Sequence, residues 1–159
     1  MQKDNRLYQL AENVLKNSVK LKKGEKIYIE AFGPAVLDLM EIFIRKATEL
    51  GGVPFYFYND EHLLKAVIDN ASEEQMKAFG ETYRQQMASS DVYVALRGYD
   101  DIFALSDVNE RQMALYMQHY YNPVHRSITW VAKAVYAVSI LQSPASFIRR
   151  KKSVSASKK

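Results

Sequence analysis

Cysteine does not occur in this chain. That excludes a disulfide scaffold, thiolate zinc sites and a cysteine nucleophile, and it is compatible with a reducing cytoplasm. With six glycines and four prolines, the chain holds neither G-x-G-x-x-G nor G-x-x-x-x-G-K-[ST]. The glycine-rich turn that brings a pyrophosphate to a helix N-terminus is therefore missing, which argues against nucleotide binding. No apolar run reaches the roughly 18 residues that a membrane-spanning helix requires. The longest, "WVAKAVYAVSIL", is broken by Lys133. The start, "MQKDNRLYQL", is polar and of mixed charge, with no secretory apolar segment. The expected location is the cytoplasm, with no membrane partner.

What is present fits one globular domain. A chain of 159 residues can bury a core, and 48% hydrophobic with 25% charged residues separates it from disordered sequences. The net charge of +4 invites a nucleic-acid reading, but six of the 22 basic residues lie in the terminal "RRKKSVSASKK". Without that stretch, 16 basic residues face 18 acidic ones, a balance of −2. No basic stripe or base-stacking motif accompanies the tail, so no nucleic-acid partner is expected. Residues 141–159 are expected to form a basic, disordered tail behind a domain spanning 1–140.

Hydrophobic periodicity alternates between helix and strand. Residues 3–19 carry Leu7, Leu10, Ala11, Val14 and Leu15 on one helical face. "KIYIEA" (26–31), "VPFYFY" (53–58) and "DVYVALRG" (91–98) read as strands, with a further strand expected within about 130–140. Between them, Pro34 opens a helix with Leu37, Met40, Ile44 and Ala47 inward that ends at Gly51 and Gly52. Asp60 caps "EHLLKAVIDN", and Ser72 with Gln75 forms a capping box for a helix reaching about Ala88. A last helix runs through "ALSDVNERQMALYMQHYY", with Pro123 stopping it. The predicted fold class is α/β, an open, mostly parallel sheet built from βαβ units with helices on both faces.

In such sheets ligands bind beyond the carboxyl ends of the strands. Arg97, in "RGYDD", reads either as a grip for a carboxylate or as the partner of Asp100, Asp101 or Asp107. Glu30, ending the first strand, reads either as a structural group capping a neighbouring helix or as a cleft residue. His119 and His125 lie six apart with Pro123 between them, unlike the four-residue spacing of a zinc helix, so they read as orienting and packing groups. Tyr116, Tyr120 and Tyr121 read as packing or an interface. A triad drawn from Ser106, His119 and Asp107 lacks the G-x-S-x-G elbow that would expose the serine.

Four blocks in register then carry a resemblance. "SVKLKKGEKIYIEAFGPAV", "ATELGGVPFYFYND", "MASSDVYVALRGYDD" and "LSDVNERQMALYMQHYYNPVH" resemble the N-terminal domain of the thermophilic metallo-aminopeptidases of the aminopeptidase T and aminopeptidase S type, over about residues 7–128. The resemblance implies a longer enzyme in which a C-terminal domain holds two divalent metal ions of zinc or cobalt type. Those ions activate water against the first peptide bond of a substrate with a free amino end. It also implies a homodimer in the full-length form. None of the metal ligands maps onto this chain, so no cofactor is expected to bind here. Glu30, Arg97, His119 and His125 stand as substrate-cavity or interdomain candidates. The alternative is a small stand-alone α/β protein binding a phosphate- or carboxylate-bearing ligand in the strand-end crevice. Past about Ser127 the sequence departs from the family pattern, which continues with Arg-Tyr-Pro-x-Pro-Ser. Through "LQSPASF", a frame two nucleotides later permits Pro, then Ile or Val, then Pro-Ser-Phe. The basic tail is on this reading a frameshift product.

Overall fold

The computed structural model describes residues 5–99, 101 and 103–125, and residues 134–139 as backbone. The basic tail of 141–159 and the departure after Ser127 lie outside the described residues. Four parallel strands, β1 (Lys26–Phe32), β2 (Val53–Asn59), β3 (Val92–Arg97) and β4 (Ala134–Ser139), pair in the order β2-β1-β3-β4. The expected fourth strand is therefore present, and all three strand pairs are parallel.

Strand alternation divides the sheet into two faces. Ile27, Ile29 and Ala31 of β1 and Val92, Val94 and Leu96 of β3 pack against α1 (Asn5–Asn13) and α2 (Leu37–Glu49). Tyr28, Tyr93 and Ala95 face the other way, toward α3 (Glu61–Asn70), α4 (Glu73–Ala88) and α5 (Glu110–Tyr116). Each fully buried Leu, Ile or Phe contributes roughly 1.5–3 kcal/mol by leaving water. β2, at the sheet edge, exposes Val53, Phe55 and Tyr56.

Local signals set most boundaries. Asp60 accepts a hydrogen bond from Leu63 N at 2.9 Å, and Ser72 and Gln75 close the reciprocal capping box. α2 ends at Glu49, and Gly51 takes a positive φ of 79° after it. Two helices widen into π turns, at Val14–Ser18 after α1 and at Met117–Tyr121 after α5.

Two expectations need correction. Pro34 opens a tight 3-10 turn, Pro34–Val36, which shifts the phase of α2. Leu37 is consequently exposed, and Leu39, Ile42 and Phe43 join Met40 and Ala47 in the core, with Ile44 only partly buried against it. Pro123 does not stop the last helix, because helical backbone continues through residues 122–125. The π turn hands its hydrogen bonding to the i−5 carbonyl, Asn122 N–H to Met117 O. A wide turn of this kind relaxes the backbone just where proline offers no N–H.

Candidate functional site

Chain order places a crevice before any side chain is considered. From β1 the chain passes through α2 to β2 on one side. It then returns through α3 and α4, on the opposite face, to β3 on the other side of β1. The connections therefore diverge at the carboxyl ends of β1 and β3, the position where open parallel sheets leave room for ligands. Two glycines let the exits of these strands meet. Gly98 N donates to Phe32 O at 2.7 Å, and a Cβ on Gly33, whose φ is +88°, would stand 2.0 Å from Gly98 O.

Register then builds the floor of the crevice. Glu30 pairs with Ala95, and Phe32 with Arg97, so Tyr93 and Arg97 are the diagonal neighbours of Glu30 on one face. The small Ala95 leaves the space across which both donors reach. Arg97 Nη2 donates to Glu30 Oε2 at 2.6 Å, and the Tyr93 hydroxyl donates to the same oxygen. Arg97 Nη2 also lies 3.2 Å from the Tyr93 oxygen. Glu30 is buried and the Arg97 side chain is 18% exposed. Burial alone would lower the guanidinium pKa, but the Glu30 carboxylate outweighs it and holds Arg97 firmly charged. Burial, and then the charge of Glu30, pushes the Tyr93 hydroxyl well above its ordinary value, so it remains a donor.

Above this floor lies a cavity of about 410 Å³. Its polar lining is Glu30, Glu61, Arg97, Asp101 and His125. Phe32, Tyr99, Tyr116, Tyr120 and Tyr121 supply most of the aromatic wall. The roof is α5 with its π turn. Gln112 Nε2 ties it to the end of α3, donating to Ile68 O at 2.8 Å and Ala71 O at 3.1 Å. Tyr120 locks the π turn onto α4 through ring contacts with Phe79 and Tyr83, at 4.9 and 5.4 Å between centroids. Gly80 permits that approach, since a Cβ there would stand 1.8 Å from His119 O. Among the described residues, the buried Arg97 Nη1 has no hydrogen-bond partner.

The four candidate residues divide. Glu30, Arg97 and His125 converge on the cavity, while His119 lies in a separate surface depression with Gly80 and Pro123, its Nε2 3.4 Å from Glu73 Oε1. Burial lowers the pKa of His125, partly opposed by Glu30 and reinforced by Arg97, so its imidazole is neutral at neutral pH. The partner of Arg97 is Glu30. Asp107 instead pairs with Lys65 at 2.9 Å, and Asp101 accepts from Phe103 N. Ser106, His119 and Asp107 do not assemble: His119 faces Glu73, and Asp107 is held by Lys65. Tyr116 and Tyr120 are buried packing groups and Tyr121 is half-exposed. Glu61 escaped the sequence reading. It is a buried carboxylate at the first position of α3, and the signal for it was its place two residues past the end of β2, just after the capping Asp60.

Comparison with known proteins bears on this arrangement. No curated protein matches the chain. Among solved structures it is similar to wild-type AmpT from Thermus thermophilus, with 20% sequence identity and a TM-score of 0.66. That likeness of fold covers 87% of this chain and 36% of the AmpT chain, so this chain spans about a third of that protein's length. The family described as thermophilic metalloprotease (M29) matches residues 3–136, which take in every strand and helix from α1 to β3 and the whole cavity lining. The chain belongs to the thermophilic metalloprotease (M29) family.

Proposed function

We propose that this chain is the N-terminal α/β domain of a metal-dependent aminopeptidase, a hydrolase that removes residues from the amino end of peptides. The observation that carries the reading is the family match over residues 3–136, in a chain spanning only 36% of a structural relative. Residues 1–140 form the domain, and 141–159 are a basic segment outside the family's reading frame. The wider enzyme is a cytoplasmic homodimer. Its peptide substrate meets two divalent ions, of zinc or cobalt type, in the catalytic domain of the longer enzyme. No helix among the described residues is long and apolar enough to cross a membrane.

The described residues do not fit such a metal centre. Among the described residues no group of three or more His, Asp or Glu could hold a metal ion. Glu30 is engaged by Arg97 and Tyr93, and the two histidines face different cavities. The role left to this domain is to shape the substrate side: Glu30, Arg97 and His125 wall a cavity, and His119 braces the roof against α4. Assay of the chain against aminoacyl chromogenic substrates with added cobalt or zinc tests the reading. No turnover is expected. Metal-dependent turnover abolished by substitution of His119 or His125 would overturn it.

A further inference from the structure

The floor of the cavity over β1 and β3 holds a carboxylate oxygen that the described residues leave without a donor. Glu30 lines the cavity although it is only 2% exposed, and the two donors that reach it, Arg97 Nη2 and the Tyr93 hydroxyl, share Oε2. Nothing among the described residues donates to Oε1, and this atom is not one of the polar atoms closed off from the surface. A buried carboxylate oxygen without a donor costs stability that a ligand N–H recovers. The hydroxyls of Tyr116 and Tyr120 stand in the same condition. Both side chains are buried and line the cavity, and neither hydroxyl is closed off or has a hydrogen-bond partner among the described residues. Burial, and then the charge of Glu30, holds both phenols well above their ordinary pKa, so each keeps its proton and can donate. Burial keeps His125 neutral. The charges of Glu30 and Arg97 cancel at 2.6 Å, so the floor favours a neutral group: an ammonium would meet Arg97, and a carboxylate would meet Glu30. An amide is such a group, with an N–H for Oε1 and a carbonyl oxygen for a phenol. Around it the wall is apolar, with Phe32, Leu64, Leu105 and Met113. The volume, about 410 Å³, lies toward the small end of ligand cavities, which run from about 300 to 1,000 Å³.

We propose that this cavity is a subsite for an uncharged stretch of peptide that carries an aromatic side chain. An amide N–H of the peptide donates to Glu30 Oε1, its carbonyl oxygens accept from the Tyr116 and Tyr120 hydroxyls, and its ring lies among Leu64, Leu105 and Met113. The assignment rests on the reading of the chain as the substrate side of a peptidase. It names the part of the substrate held there, an internal residue away from both charged ends.

Titration of the full chain in EDTA, followed by the NMR signals of the tyrosine rings, tests it. N-acetylphenylalaninamide, uncharged at both ends, is expected to bind. N-acetylalaninamide, without the ring, should bind about tenfold more weakly or worse. The analogue methylated at every amide nitrogen has no N–H for Glu30. It should also lose about tenfold or more, as a hydrogen bond to a charged group implies. Tyr116→Phe and Tyr120→Phe each delete a hydroxyl and keep the packing ring. Each should weaken the amide about fivefold and leave the melting temperature unchanged. A merely structural role for these hydroxyls predicts unchanged affinity, and that result in both variants would overturn the assignment. So would failure of N-acetylphenylalaninamide to bind, or equal binding of the fully methylated analogue. Tighter binding of phenethylamine or of hydrocinnamate would put a charged end of the peptide in the cavity and refute the proposal. Binding is read without metal and without turnover, so its failure leaves the peptidase reading standing.

Discussion

Arg97 and Glu30 stand 67 positions apart in the chain and 2.6 Å apart at their nearest side-chain atoms, joined across the two central strands. Removing one partner leaves the other charge buried. Glu30→Leu is expected to cost about 3–5 kcal/mol, the range for breaking a buried ion pair. Adding Arg97→Met should restore part of that loss, because the orphaned cation goes with it. Urea unfolding of the singles and the double measures the coupling. A double variant as unstable as the sum of its singles would show that the two residues act independently.

That pair also marks where sequence reading runs out. Asp60, Ser72 with Gln75, and Gly51 were legible because a cap is a local device, complete within a few residues. Arg97 was legible as a strand-end residue, but its partner was not. Sequence neighbours offered Asp100, Asp101 and Asp107, whereas register supplied Glu30 through Ala95. The turn at Pro34–Val36 and the π turn before Pro123 were missed for a related reason. Each changes the helical phase by a hydrogen-bonding shift that leaves little trace in composition.

Gly80 tests how tightly the roof is seated. A Cβ at this position meets backbone, the His119 carbonyl oxygen, which cannot swing aside as a flexible side chain could. Gly80→Ala should therefore push the π turn off α4 and cost about 1–3 kcal/mol, as overpacking does. It should also disturb Tyr120, whose ring packs on Phe79 and Tyr83 of the same helix. Thermal unfolding checks the first effect, and near-ultraviolet circular dichroism of the tyrosines checks the second. An unchanged melting temperature would contradict the contact.

His125 gives the fold an acid-sensitive element. Its folded pKa is depressed, chiefly by burial, so the native state resists a proton that the unfolded chain accepts. Nothing is lost above the unfolded value of about 6.5, and stability declines as pH falls from there toward the lower native pKa. His125→Gln removes the titration. Between about pH 7.5 and 5, the melting temperature of the parent should fall more steeply than that of the variant. Parallel pH profiles would show that His125 is accessible to protonation in the folded chain.

The reading frame beyond residue 140 can be tested in the gene. The domain balances near −2 in charge, and the final "RRKKSVSASKK" then holds six basic residues and no acid. Two nucleotides on, "LQSPASF" permits Pro, Ile or Val, and Pro-Ser-Phe, and "IRRKKSVSAS" permits Gln-Ala-Glu-Lys-Ile-Gly-Ile-Ser. One such match is cheap, because codons are degenerate. Two consecutive matches in one shifted frame constrain the third base of nearly every codon. A divalent centre needs Glu, His and Asp side chains converging on it, and among the described residues no such group exists. The shifted frame is therefore expected to run on without stop codons and to encode those ligands downstream. Sequencing the gene past the codon for Lys159 decides this. Expression of the continuous frame should then yield cobalt- or zinc-dependent release from aminoacyl substrates that the present chain lacks. Stop codons at once in the shifted frame, or a downstream sequence without Glu and His ligands, would defeat the frameshift. The cavity over β1 and β3 would then be left as the chain's own chemistry.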